Sequence, residues 1–174
     1  METTEDVLIR AEQPGDEVAI ADLNDAAFGG TDESRLIEAL RQSGQAAISL
    51  VATARNAVVG HILFTPVVVE IPGPAIAAMG LGPMAVAPAC QRLGIGSRLV
   101  RAGLEACAQR GCKIVVVVGH PNFYPRFGFR PAHMLGLRSE YAVAADVFMA
   151  IELVSGALVG RAGLVRYLPE FGTV

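Results

Sequence analysis

The stretch from Leu81 to Gly111, LGPMAVAPACQRLGIGSRLVRAGLEACAQRG, constrains the fold more than any other part of the chain. Residues 81–86 form a short apolar run, residues 88–96 form a loop that ends in two glycines, and residues 95–110 have the apolar spacing of a helix. The sequence therefore predicts a strand, a tight turn and a helix in that order.

The start of the predicted helix is suited to binding an anion. Its first-turn N–H groups, in the segment from about Arg92 to Ser97, have no helical carbonyl to bond. Gly94 and Gly96 place no Cβ in the way, so several N–H groups can converge at the positive end of the helix dipole. The segment therefore predicts a site for a phosphate or pyrophosphate group.

Two well-known phosphate loops do not fit this segment. A Walker loop needs Lys directly after its second glycine, and neither Gly94 nor Gly96 is followed by Lys. The dinucleotide fingerprint of Rossmann folds needs a third glycine three residues after the second, where this chain has Leu99. The predicted site is therefore of another type.

Two segments together resemble the GNAT superfamily, the acetyl-CoA-dependent N-acetyltransferases. Residues 91–96, QRLGIG, follow a strand and resemble the Q/R-x-x-G-x-G/A loop that binds the pyrophosphate of acyl-CoA. After the helix comes the β-branched run Lys113–Val118, and then residues 124–129, YPRFGF, which resemble the Y-x-x-x-G-F segment after the fifth strand of the superfamily. The resemblance covers Val7 to about Val154.

The resemblance implies an α/β (α+β) fold with one mixed, mostly antiparallel sheet, helices on both faces, and the order β-α-α-β-β-β-α-β-α-β-β. In GNAT enzymes the fourth and fifth strands splay apart, and the fourth pairs with the pantetheine arm. Gly80-Leu81-Gly82-Pro83 fits a bulge at that point, the alternative being a plain edge bulge. The implied cofactor-binding residues are Met84, Ala85, Val86, Gln91, Arg92, Leu93, Gly94, Ile95, Gly96, Ser97 and Asn122, although Asn122 could simply turn the chain.

Aminolysis of a thioester needs a free amine, an oxyanion donor and an acid for the departing thiolate. The resemblance places Tyr124 as the acid, the alternative being a packed aromatic. The base stays open, because the predicted fourth strand offers no carboxylate where GNAT enzymes often have one. The candidates are Glu33, which could also bind the acceptor, Asp32, His120 and His61, with helix capping or a hydrogen-bonded histidine as the structural alternatives.

The other elements follow from local patterns. Apolar spacing and turn residues mark two helices near the N-terminus, a hairpin of two strands with Asn56 in its turn, and a late strand. Their predicted bounds are strands Val7–Ala11, Ala47–Thr53, Val58–Ile71 and Val147–Val154, and helices from about Asp16 to Phe28 and from Thr31 or Asp32 to about Gln42, with Pro14 or Asp16 near the first N-cap.

Composition narrows the class of protein. With 174 residues we expect one domain, with a core at about 7–154 and an ordered C-terminal arm at 155–174 that would be a dimer contact if exposed. A net charge of −3 argues against nucleic acid, and no apolar run reaches membrane-spanning length. Cys90, Cys107 and Cys112 have no metal-ligand spacing and suggest a reducing cytoplasm, and Cys90 is either a small loop residue or a reactive thiol.

The predicted function is therefore an N-acetyltransferase that uses acetyl-CoA as co-substrate, needs no metal, and acetylates a small amine or an exposed protein amine. Another acyl chain or an O-acceptor stays open. The alternative from a different class is a GNAT fold that binds acyl-CoA as a sensor or scaffold without turnover. The intact Tyr124 and pyrophosphate loop favour the enzyme, whereas the missing carboxylate on the fourth strand favours the alternative.

Overall fold

The computed structural model describes residues 6–173. Within them lie three α-helices, α1 (Glu17–Phe28), α2 (Asp32–Gln42) and α3 (Ile95–Gln109). Nine strands accompany them: β1 (Val7–Ala11), β2 (Ile48–Ala54), β3 (Ala57–Glu70), β4 (Ala78–Val86), β5 (Ile114–Val118), β6 (Arg130–Pro131), β7 (Leu137–Ser139), β8 (Phe148–Glu152) and β9 (Gly163–Arg166). None of the described helices is both long and apolar enough to span a membrane.

Contacts along the chain define two compact units. The first contains the described residues of 1–64, 83–103 and 170–174, and the second contains residues 65–82 and 104–169. β3, β4 and α3 contribute residues to both units. The expectation of one domain stays a prediction.

In the first unit, β1, β2 and β3 form an antiparallel meander. The β2–β3 turn has Arg55 at φ 49° and Asn56 at φ 63°, the left-handed pair that matches the twist of a two-residue hairpin. The predicted asparagine turn is therefore confirmed. Glycines on β3 and α3 permit close packing, because a Cβ on Gly60 would lie 2.9 Å from Leu99 and one on Gly103 would lie 2.2 Å from a ring carbon of Phe64.

A partly buried polar network ties the strands of the first unit to α2. Glu12 accepts hydrogen bonds from Arg41, at 2.7 and 3.0 Å, and from the Ser49 hydroxyl. Since the Ser49 proton goes to Glu12, the 2.9 Å contact between Ser49 Oγ and His61 Nε2 must be donated by His61. His61 is therefore the Nε2–H tautomer, fully buried, with no partner for Nδ1 among the described residues. The structural alternative predicted for His61 is thus confirmed.

This environment makes stability depend on pH. Burial, and secondarily the Arg41 guanidinium, lowers the pKa of His61 to about 4 from its ordinary 6.5. The unfolded chain therefore binds this proton more tightly than the folded one. The contribution of neutral His61 to the free energy of unfolding should be complete above about pH 6.5 and be lost as the pH falls toward 4. Between pH 7.5 and 4.5 the free energy of unfolding should fall by roughly 2–3 kcal/mol for this reason.

Urea unfolding at both pH values measures this loss. His61→Leu removes the titrating ring together with the hydrogen bond that it donates to Ser49, and it leaves Ser49 bonded to Glu12. The loss of stability between pH 7.5 and 4.5 should therefore be smaller in this variant by roughly 2–3 kcal/mol. A parallel decline in the two proteins would show that His61 is not held neutral by the fold.

The second unit has a mixed set of strand pairs and a core cluster of its own. β4 pairs in parallel with β5, β5 and β6 each pair antiparallel with β8, β9 pairs antiparallel with β3, and β7 pairs in parallel with β9. The mixed, mostly antiparallel sheet is therefore confirmed. The core cluster consists of Val67, Val69, Ile76, Ala78, Ile114, Val116, Ala132, Leu137, Phe148, Ala150, Leu158 and Val165.

One predicted helix needs correction, whereas the predicted helix starts are confirmed. The helix expected after β5 is not an α-helix but a 3₁₀ turn at Tyr124–Phe127, because Pro121 and Pro125 cannot donate to helical hydrogen bonds and Gly128, at φ 99°, stops the turn. Asp16 is the N-cap residue of α1, as predicted, although its side chain makes no capping hydrogen bond. Its carboxylate bonds Arg10 at 2.6 Å. Thr31 is the N-cap residue of α2, also without a side-chain capping hydrogen bond.

Part of the C-terminal arm, residues 163–166, forms a strand. This strand is β9, whose Val165 pairs with Val69 of β3 and with Ser139 of β7. Beyond β9, the backbone N–H of Tyr167 donates to Glu140 Oε1 at 2.6 Å. Residues 163–167 of the arm therefore belong to the second unit.

Candidate active site

β4 is interrupted where the sequence places its glycines and proline. Its parallel pairing with β5 covers Ala78–Leu81 and, in the described part of the chain, goes no further. Gly82 follows with φ 137°, and a Cβ there would meet nothing within 4 Å. Pro83 then has no N–H to donate. The two strands thus stop pairing at this point, which leaves the backbone from Met84 to Val86 free of β5.

The loop between β4 and α3 takes a strained path. Gly94 has φ 81° and Arg92 has φ 63°, so two alternate residues are left-handed. A left-handed residue other than Gly costs about 1–2 kcal/mol, and such strain often occurs at functional sites. Gly96 lies inside α3 instead, which corrects the expectation that both glycines form the curl.

The loop presents the first-turn N–H groups of α3. The carbonyl of Gly94 accepts the N–H of Arg98 at 3.1 Å, which makes Gly94 the N-cap. The N–H groups of Ile95, Gly96 and Ser97 then precede the first helical hydrogen bond. Since a Cβ on Gly94 would meet nothing within 4 Å, there is room beside the loop backbone for a ligand. This arrangement fits a phosphate group.

Gln91 and Arg98 fix this helix start. The Gln91 side-chain amide donates to the carbonyl of Val86 at 3.1 Å, so it closes the loop onto the end of β4. Arg98 donates to the carbonyl of Val7 at 2.7 Å and so links α3 to β1. The remaining predicted loop residues, Arg92, Leu93 and Gly94, are exposed.

In the second unit, the ring of Tyr124 packs against the backbone of a glycine, Gly119. A Cβ on Gly119 would be 2.3 Å from a ring carbon of Tyr124, so the ring rests directly on the chain after β5. The ring also packs edge-to-face on Phe123, at a centroid distance of 5.0 Å, and on Phe129, at 5.6 Å. Burial raises the pKa of Tyr124 to about 12, so the hydroxyl stays protonated at neutral pH.

The comparisons with known proteins decide the family. A family profile described as "Acetyltransferase (GNAT) domain" matches residues 8–132, which include both the loop and Tyr124. The chain belongs to the GNAT acetyltransferase family. The GNAT family and the fold class, both predicted from the sequence motifs, are thereby confirmed.

Individual relatives of this GNAT enzyme agree with the profile. The chain is 34% identical over 166 residues to the uncharacterised N-acetyltransferase YhbS of Escherichia coli K12, covering 95% of this chain and 98% of the relative. A crystal structure of Escherichia coli YhbS in complex with CoA superposes with a TM-score of 0.91 at 32% identity, covering 99% of this chain and 95% of that one. A crystal structure of a Brucella melitensis GNAT acetyltransferase in complex with acetyl-CoA superposes with a TM-score of 0.78 at 31% identity. The match covers 95% of this chain and 97% of that one.

The predicted base candidates of the GNAT enzyme differ in their surroundings. Glu33 is half-buried and Asp32 exposed in the first turn of α2, where acidic residues complement the helix dipole. His120 and Asn122 are exposed after β5, and the His120 carbonyl accepts the Phe123 N–H at 3.1 Å. His61 is buried with a lowered pKa, which makes it a poor candidate for a solvent-accessible base.

Sequence patterns missed two residues that shape the site region. Gly119 supports Tyr124, and its only local signal is a glycine directly after a buried β-branched run. Tyr167 packs on β4, since a Cβ on Gly80 would lie 3.7 Å from its ring. Gly80 and Tyr167 are 87 residues apart in the chain, so no local sequence pattern predicts their contact. A surface cleft of about 400 Å³ at Met134, Glu152 and Leu158 contains none of the predicted site residues.

Proposed function

We propose that this GNAT enzyme transfers an acetyl group from acetyl-CoA to the amino group of a small molecule or an exposed protein amine. The observation that carries the proposal is the start of α3, where left-handed Gly94 brings unbonded first-turn N–H groups to an open surface. The CoA and acetyl-CoA complexes of two relatives more than 30% identical support the same ligand.

The residues divide the work of binding as follows. The N–H groups of Ile95, Gly96 and Ser97 receive the pyrophosphate, with Arg92, Leu93 and Gly94 shaping the loop and Gln91 closing it. The backbone from Met84 to Val86, which β5 leaves unpaired, holds the pantetheine arm, with Asn122 as a further amide contact. Acetyl-CoA supplies an acetyl thioester, which an amine attacks readily.

Proton transfers are assigned to side chains. Tyr124 donates a hydrogen bond, and finally its proton, to the departing sulfur. The acceptor amine must lose a proton, for which we propose Glu33 or His120, directly or through water; Glu33 could also bind a cationic acceptor. β4 contains no carboxylate, so the base is not supplied by this strand.

An acetyl-CoA assay tests the proposed function. The full-length protein is incubated with acetyl-CoA and a panel of primary amines, and thiol release is followed in parallel with binding of CoA by calorimetry. Amine-dependent release with micromolar to millimolar affinity is the expected result. Tight CoA binding with no release for any amine or alcohol would instead support the acyl-CoA sensor.

The acceptor side is proposed to lie along β4 at Gly80–Gly82. The Tyr167 ring covers Gly80, while the space beside Gly82, two residues on, is open. On the neighbouring strand, Thr65 is fully buried and its hydroxyl has no partner among the described residues. Tyr167 is held by Glu140 and by ring contact with Tyr141 at 5.6 Å, so it can position an acceptor rigidly.

Replacing Tyr167 with Leu should raise KM for the best amine of the panel about tenfold while KM for acetyl-CoA stays within about twofold, because one well-packed ring contact contributes roughly 1–2 kcal/mol. Tyr141→Phe, which keeps the neighbouring ring and removes only a hydroxyl, is the matched control. Equal changes in both KM values would assign Tyr167 to folding alone.

Two further expectations accompany the proposal. We also propose a cytoplasmic location, which the free thiols at Cys90, Cys107 and Cys112 support. We also propose a homodimer through the C-terminal arm, on which Val159 is exposed. Sedimentation measures the oligomeric state.

A further inference from the structure

The C-terminal end of α3 brings two cysteines together. The N–H of Cys112 donates to the carbonyl of Cys107 at 3.0 Å, and the N–H of Gly111 donates to that of Ala108, also at 3.0 Å. With Gly111 at φ 79°, this is a Schellman motif, in which the side chains three residues before and two after the helix end commonly touch. Here both of those side chains carry a thiol.

The two thiols are buried but lie just beneath an exposed turn. Cys107 is 0% exposed and Cys112 is 4% exposed, whereas Arg110, Gly111 and Lys113 are exposed. The Cys112 thiol donates to the carbonyl of Ile114 at 3.0 Å. A hydrogen bond from Cys107 lowers the pKa of Cys112, against the effect of burial. Cys112 is therefore the more readily ionised of the two.

We propose that Cys107 and Cys112 form a dithiol site that undergoes reversible disulfide exchange with a low-molecular-weight anionic disulfide of the glutathione class. Two observations favour that reagent. Arg110 and Lys113 are exposed cations on either side of the turn, which attract an anion. The last turn of a helix also opens at low free-energy cost, which gives a small molecule access to the sulfurs.

The exchange is balanced in two steps. The Cys112 thiolate attacks one sulfur of glutathione disulfide, so that a mixed disulfide forms and one glutathione thiolate leaves. The Cys107 thiol then gives up its proton and attacks the Cys112 sulfur, which releases the second glutathione. Two protein thiols are oxidised to one disulfide while one glutathione disulfide is reduced to two glutathione molecules.

Trypsin makes the product easy to recognise. It cleaves after Arg101, Arg110 and Lys113, so Cys107 and Cys112 fall in the separate peptides 102–110 and 111–113. Only a disulfide joins these peptides. Full-length folded protein is titrated with glutathione disulfide, alkylated, digested and analysed by mass spectrometry. The disulfide-linked peptides 102–110 and 111–113 are the expected product. The short closed loop should also raise Tm by about 5 °C.

Single variants separate the two steps. Cys107→Ser should retain glutathione on Cys112, because the resolving thiol is missing, and Cys112→Ser should react at least tenfold more slowly than Cys107→Ser. Cys90→Ser, which removes the thiol outside the pair, should form the link as the wild type does. Circular dichroism confirms that each variant is folded.

Three results would overturn the proposal. These are stable glutathione addition to the folded wild type without the 107–112 link, a link that forms only in guanidinium, and equal reactivity of the Cys107→Ser and Cys112→Ser variants. None of them depends on acetyl transfer, so the test is independent of the proposed function.

Discussion

Replacing Tyr124 with Phe is expected to lower kcat by about a hundredfold to ten-thousandfold, with the affinity for acetyl-CoA nearly unchanged. The substitution removes one hydroxyl and keeps the ring that packs on Phe123 and Phe129. The expected range is the usual contribution of general acid catalysis. Single-turnover rates with acetyl-CoA and the best amine of the panel measure it.

The buried position of Tyr124 shapes how it can act. Burial raises its pKa to about 12, whereas a thiol has a pKa of about 8.5. Complete proton transfer to the departing thiolate is therefore uphill by about 5 kcal/mol. We expect the hydrogen bond to the sulfur to supply most of the stabilisation, with the proton moving late. The rate should continue to rise with pH as the acceptor amine loses its proton, since Tyr124 stays protonated.

Gly119→Ala provides a companion variant. Its new Cβ would lie 2.3 Å from the Tyr124 ring, so the ring must move although its hydroxyl is retained. A loss of kcat with both variants, and unchanged CoA affinity, would show that the position of the hydroxyl matters. Near-normal turnover of Tyr124→Phe would remove Tyr124 from the mechanism, and a raised KM for acetyl-CoA would indicate a binding role.

Gly94→Val is expected to weaken CoA binding by about tenfold to 150-fold. Gly94 has φ 81°, a conformation that a β-branched residue adopts only under strain, so the loop must rearrange. Losing a single charge-assisted hydrogen bond from the α3 N–H groups then costs about 1.5–3 kcal/mol. Calorimetry with CoA measures the change.

Gly44→Val is the matched control for backbone strain. Gly44 has φ 75° and, like Gly94, has nothing within 4 Å of a Cβ position, but it lies after α2. Both variants should lose similar stability, and only Gly94→Val should lose affinity. Equal CoA affinity of the two folded variants would move the pyrophosphate site elsewhere. Arg92→Ala should weaken CoA binding less, because an exposed cation contributes at most about 1 kcal/mol.

Local sequence signals were sufficient for elements whose stability is local. The helix from Ile95 onward, with its glycine loop, was predicted because its apolar spacing and its unbonded N–H groups are properties of consecutive residues. The α-helix predicted after β5 does not form, and the reason is again local. Pro121 and Pro125 have no N–H to donate to an α-helix in this segment, and this local effect outweighs the family pattern.

The conformations within the phosphate loop were only partly predictable. The sequence marks Gly94 as a residue that can be left-handed, and it is. It does not mark Arg92, whose φ of 63° is unfavourable for its own side chain. Gly96 has the same permissive chemistry as Gly94 but is helical. The residue type determines which backbone conformations are allowed at each position. The conformation that is adopted depends on how the loop connects β4 to α3.

By itself, the sequence determined the family, the loop that presents N–H groups at the start of α3, and Tyr124 as the acid candidate, because each depends on residues close together in the chain. Only the tertiary structure decided that Tyr124 rests on Gly119, that Tyr167 covers Gly80, and that His61 is buried in a polar network. Strand pairing sets the Tyr167 and His61 contacts, and it joins residues whose separation along the chain leaves no periodic pattern. The contact between Tyr124 and Gly119 depends instead on the path of the chain after β5.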